Sequence, residues 1–140
     1  MSPKKTSAND PADWLLYAEA DLEGLRMLAE KRVAFLMCRS KCAEVLEKLI
    51  KAELILLGWP LVRTHDLPHL VDELKARSSA HADRLQPLAE ELAEYHIVGR
   101  YPGFDFDDEE DWSALARQVE QTGAYAEAVC KAIKGKARHE

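Results

Sequence analysis

The 140-residue chain has little of what punctuates or staples a fold. With only 6 Gly and 6 Pro, collagen-like and low-complexity architectures are excluded. The three cysteines (Cys38, Cys42, Cys130) are an odd number without framework spacing. That excludes a disulfide scaffold and fits free thiols in a reducing cytosol. Long apolar runs are also lacking. The longest, Leu54 to Val62, contains Gly58 and Pro60 and is too short to span a bilayer. Lys4 and Lys5 are not followed by an apolar stretch, so no signal peptide is visible. The expectation is a cytoplasmic protein with no membrane contact. No stretch alternates with period two long enough to form a strand. Neither a Gly-rich phosphate loop nor a Gly-flanked nucleophilic Ser is present, so the sequence supplies no signature of those two chemistries.

What remains is rich in Ala, Leu and Glu, with 47% hydrophobic and 31% charged residues. That composition predicts one all-α domain of ordinary size. The pattern divides into a polar, disordered N-terminus (1–10), a helical bundle (11–134) and a polar tail (135–140). Asp10-Pro11 reads as a capped helix start, followed by Leu15, Ala18, Leu22, Leu25 and Ala29 at helical spacing. A second helix is predicted over 33–57. It turns apolar on nearly all sides near its end, as the buried centre of a bundle does, and stops at Gly58-Trp59-Pro60. A short third helix carries Leu67, Leu70, Val71 and Leu74. A fourth spans about 83–98 and a fifth about 110–134. Together they predict an antiparallel up-down helical bundle of about five helices.

The net charge of −6 excludes a strongly basic nucleic-acid binder on its total. Its distribution is uneven. Residues 1–63 carry 10 basic and 9 acidic side chains, whereas 64–112 carry 4 and 13. A local basic face on the first half is compatible with this, as is an acidic middle that docks a basic partner.

Three constellations can carry chemistry. On the second helix, Glu44–Lys48 and Glu47–Lys51 are i,i+4 pairs in the favourable order. They read either as two exposed salt bridges or as a place where Lys48 and Lys51 line a groove and meet phosphate. In Arg63-Thr64-His65-Asp66-Leu67, Thr64 or Asp66 can cap the third helix. Arg63 and His65 beside it, with the helix amides, suit an anion. His65 and His69 are also four apart, but Pro68 lies within the spacing and no third ligand is apparent, so no metal and no cofactor are expected. In Arg100-Tyr101-Pro102-Gly103, a turn, Arg100 can clamp an anion and Tyr101 can offer a stacking face.

These segments together resemble the HEPN domain (higher eukaryotes and prokaryotes nucleotide-binding) over about residues 12–134. The resemblance rests on Trp14-Leu15…Ala18-Glu19…Asp21-Leu22, Glu47-Lys48-Leu49-Ile50-Lys51-Ala52, Thr64-His65-Asp66-Leu67, Tyr95 and Arg100-Tyr101-Pro102-Gly103. Where members often carry a Gln pair before the Glu-Lys step, this chain has Ala43 and Glu44. The resemblance implies an up-down bundle that forms a homodimer. It further implies a non-catalytic nucleotide- or RNA-binding partner of a minimal nucleotidyltransferase in a toxin–antitoxin-type system. Lys48, Lys51, Arg63, His65, Arg100 and Tyr101 would then make the binding site. Other branches of the family are metal-independent ribonucleases with an Arg, four to six residues and a His. The one formal match here is Arg63-x5-His69, so the runner-up is a ribonuclease using Arg63, His65, His69 and Arg100. A third reading is a pure protein-interaction module.

Overall fold

The structure is a computed structural model that describes residues 5–61, 63–98, 102–103 and 109–139. Its described residues form five helices and no strand: α1 (Pro11–Glu30), α2 (Phe35–Leu56), α3 (Leu67–Ala76), α4 (Ala82–Val98) and α5 (Trp112–His139). The all-α bundle expected from the composition is what the chain forms. Its centre is α2, which packs against each of the other four helices. The reason lies in its sequence: Val45, Leu46, Leu49, Ile50, Ala52 and Leu54 spread around most of the helix, and all six are fully buried.

The helix ends follow local chemistry. Asp10 accepts the amide of Ala12, and Pro11 occupies the first position of α1. Asp66 accepts the amide of His69 at the start of α3, and Pro68 again sits in the first turn. Between the two cap candidates at this junction, Asp66 is the cap, while Thr64 receives the Asp66 amide and shapes the turn before it. At the end of α2, Gly58 takes φ +88°, the left-handed region in which a Cβ is costly. The amides of Gly58 and Trp59 return to the carbonyls of Ile55 and Leu54 and satisfy two otherwise orphaned acceptors. The same closure ends α1, where the amides of Arg32 and Val33 return to Ala29 and Leu28. Here the left-handed residue is Arg32, not a glycine, and Ala34 is left-handed too. That double reversal delays α2 to Phe35, two residues after the predicted start.

Both chain ends carry local structure of their own among the described residues. The Ser7 amide donates to Asp13 and the Trp14 indole donates to the Ala8 carbonyl, at 2.9 and 2.7 Å, so the residues just before α1 lie against its first turns. At the other end, α5 runs through Gly135 to His139, so most of the expected polar tail is helix. No helix among the described residues is long and apolar enough to cross a membrane.

Candidate functional site

Four charged side chains of α2 are nevertheless buried: Arg39, Glu47, Lys51 and Glu53. Taking a charge out of water costs several kcal/mol, on the order of magnitude that only a close partner can offset. Each therefore organises its surroundings. Lys51 Nζ donates to Glu47 Oε2 at 2.7 Å, with both side chains under one-tenth exposed. The same ammonium lies 5.3 Å from the centroid of the Trp14 ring, within cation–π range. On the other side of Glu47, His65 Nδ1 lies 3.0 and 3.1 Å from the two carboxylate oxygens. Glu47 thus joins α2 to the α2–α3 linker and, through Lys51, to α1.

This network is one wall of an open hollow of about 450 Å³, lined by Trp14, Glu47, Lys48, Lys51, Arg63 and His65, among others. The arrangement revises the pairing expected from spacing alone. Glu47–Lys51 is a buried pair, not an exposed one. Lys48 does not meet Glu44. It donates instead to Asp21 on α1, while Glu44 pairs with Lys41. The physical reason is that α1 covers this face of α2, so Asp21 is presented to Lys48 more directly than a residue on the same helix. Arg63 is exposed, lines the hollow and makes no ion pair or hydrogen bond among the described residues.

Four of the six residues expected to bind an anion thus line one hollow: Lys48, Lys51, Arg63 and His65. Lys48 and Lys51 are neutralised by carboxylates, so Arg63 is the cation of this set with its donors uncommitted. His65 carries Nδ1 on Glu47, and its side chain is more than half exposed. His69, the histidine of the formal Arg-x5-His match, is not part of this wall. It lies at the start of α3, with Nε2 3.9 Å from Glu73. His69 is therefore not brought together with Arg63 and His65 around this hollow. No group of three or more His, Cys, Asp or Glu able to hold a metal occurs among the described residues. Arg100 and Tyr101 lie outside the described residues. On α4, the Tyr95 ring centroid lies 3.9 Å from the guanidinium carbon of the buried Arg39, which also lies 4.8 Å from the centroid of Phe35.

Spacing pairs Glu47 with Lys51, but it does not show that the same carboxylate also holds His65. The signal present was a carboxylate within a segment whose apolar residues spread around most of the helix. Trp14, quoted only as a mark of the family resemblance, supplies an indole face to the hollow. Glu53 forms a separate buried network. Its two carboxylate oxygens accept the hydroxyls of Tyr125 and Ser79, each at 2.6 Å. Burial first, and the Glu53 charge next, hold the Tyr125 phenol well above its ordinary range.

No curated protein and no solved structure matches the chain. A family model does. The HEPN domain model matches residues 11–136, from the first residue of α1 into the last turns of α5. The match takes in α1, α2 and the α2–α3 linker, all three sources of the Glu47 network. With that coverage, this chain belongs to the HEPN domain family.

Proposed function

We propose that the chain is a non-catalytic nucleotide- or RNA-binding HEPN protein and that the Trp14–Arg63 hollow is its binding site. One observation carries this reading. An uncommitted guanidinium, Arg63, and an indole face, Trp14, line the same open hollow, beside a buried network that fixes the wall between them. A guanidinium fork matches phosphate oxygens, and an indole face takes a base without regard to its sequence. The neutralised Lys48 and Lys51 position this wall and add little free charge. Arg100 and Tyr101 belong to the same proposal as a second clamp and stacking face.

The family resemblance extends the proposal to a homodimer that works with a minimal nucleotidyltransferase in a toxin–antitoxin-type system. Self-association is supported by Met27, Val33, Leu36 and Met37, all exposed around the α1–α2 turn, an apolar surface of the kind that marks association.

The runner-up, a metal-independent ribonuclease, is favoured by one specific feature. Glu47 holds His65 through Nδ1 in the hollow that Arg63 also lines, so an imidazole and a cation share one site, as base and phosphorane-stabilising group need. This shifts the candidate base to His65 and away from His69. A native gel with labelled single-stranded RNA in EDTA separates the readings. The binding proposal predicts intact RNA in a shifted band. Cleaved RNA with 2′,3′-cyclic phosphate ends, lost in His65→Ala, would replace it with the ribonuclease reading. No shift with RNA or with mononucleotides would leave the interaction module.

A further inference from the structure

A second hollow, of about 320 Å³, opens between α4 and α5 and shares no residue with the first. Its α4 wall is built by Arg84, Leu85 and Leu88 on one face of the helix, with His81 in the turn just before it. Its α5 wall includes Gln121 and Tyr125, again four apart. Leu85, Leu88 and Tyr125 are buried and make its floor apolar. The Tyr125 hydroxyl is committed to Glu53, so this residue offers the hollow its ring and no free donor. The His81 ring lies 5.6 Å from the Tyr125 ring at a tilt of 57°, and the two form an aromatic corner. At the rim stands Arg84, exposed and without an ion pair or hydrogen bond among the described residues.

An apolar floor, an aromatic corner and a single uncommitted cation at the edge are the features of a small-ligand site, in which the apolar part gives affinity and the charge gives orientation. We propose that this hollow binds a small molecule with a flat aromatic body and one anionic group, its ring against Tyr125 and His81 and its anion on Arg84. The anion can be a carboxylate or a phosphate, since a guanidinium fork accepts both.

The test is titration calorimetry of the full chain with indole-3-carboxylate, with adenosine monophosphate and with neutral indole. It is repeated on Arg84→Ala and Ala124→Phe. Arg84 and Ala124 are both exposed lining residues, so neither substitution disturbs the core. The expected result is one-to-one binding of at least one of the two anions, with indole at least about tenfold weaker. Arg84→Ala should weaken binding by about tenfold, and Ala124→Phe should abolish it by filling the hollow. A preference for indole-3-carboxylate identifies a carboxylate ligand, and one for adenosine monophosphate a phosphate ligand. Binding by neither anion overturns the proposal, as does binding that survives both substitutions. Nucleotide binding that survives Ala124→Phe but is lost in Arg63→Ala places the ligand in the first hollow and also overturns it.

Discussion

Replacing Lys51 by Met removes the ammonium that compensates Glu47 inside the bundle while keeping most of the side chain's volume. Lys51 is 5% exposed and its Nζ stands 2.7 Å from the Glu47 carboxylate. Breaking a buried pair on one side costs about 3–5 kcal/mol, because the remaining charge is left uncompensated. His65 still faces Glu47 from its exposed side, so the lower end, about 3 kcal/mol, applies. With a urea dependence of about 2 kcal/mol per molar, the unfolding midpoint should fall by about 1.5 M. The double variant Glu47→Leu/Lys51→Met removes both charges and should return to within about 1 kcal/mol of the original chain. Urea unfolding of the four proteins in this cycle gives the coupling directly. A Lys51→Met chain that loses less than about 1 kcal/mol would refute the reasoning. So would a double variant as unstable as the sum of the two single ones.

Three further outcomes follow from other parts of the bundle. Burial pushes the Cys42 thiol from 9.0 up to about 11, and the Tyr125 phenol is raised well above 10.0. The unfolded chain therefore releases these protons first, so the stability they confer is full below about pH 9 and declines as pH rises beyond it, by up to about 1.4 kcal/mol per unit for each group. Urea midpoints at rising pH should fall accordingly, less steeply in Tyr125→Phe, and a flat profile would contradict the burial of both groups. Asp66→Ala removes the cap of α3 and should cost about 1 kcal/mol in the same assay. Gly24 lies in the interior of α1 with open space where a Cβ would stand, so Gly24→Ala should raise stability by about 0.5–1 kcal/mol.

The legible parts of this fold are those where a residue type has one local use. Asp10-Pro11, Asp66 with Pro68, and Gly58 each mark a helix boundary by themselves, and the observed boundaries fall there. The α1–α2 turn was harder to place because its left-handed residues are Arg32 and Ala34, which carry no such signal. The tertiary pairing was less legible still. Spacing on one helix suggests Glu44–Lys48, but periodicity does not say that α1 will bring Asp21 to Lys48. The same holds for Glu53, whose partners Ser79 and Tyr125 lie 26 and 72 residues away in the chain. The gathering of Arg63 and His65 beside Lys51 followed from short local segments. The role of Glu47 required knowing that its face of α2 is covered.

In the proposed function, Arg63 and Trp14 recognise the nucleotide in the hollow walled by Glu47. The most direct measurement is a fluorescence titration of labelled single-stranded RNA and of mononucleotide with the original chain, Arg63→Ala and Trp14→Phe, each checked for an unchanged helical spectrum. The account predicts that Arg63→Ala weakens binding by about tenfold or more, since a charge-assisted phosphate contact is worth about 1.5–3 kcal/mol. Trp14→Phe, which keeps a smaller aromatic face, should weaken it less. Affinity unchanged in Arg63→Ala would contradict the assignment of the site.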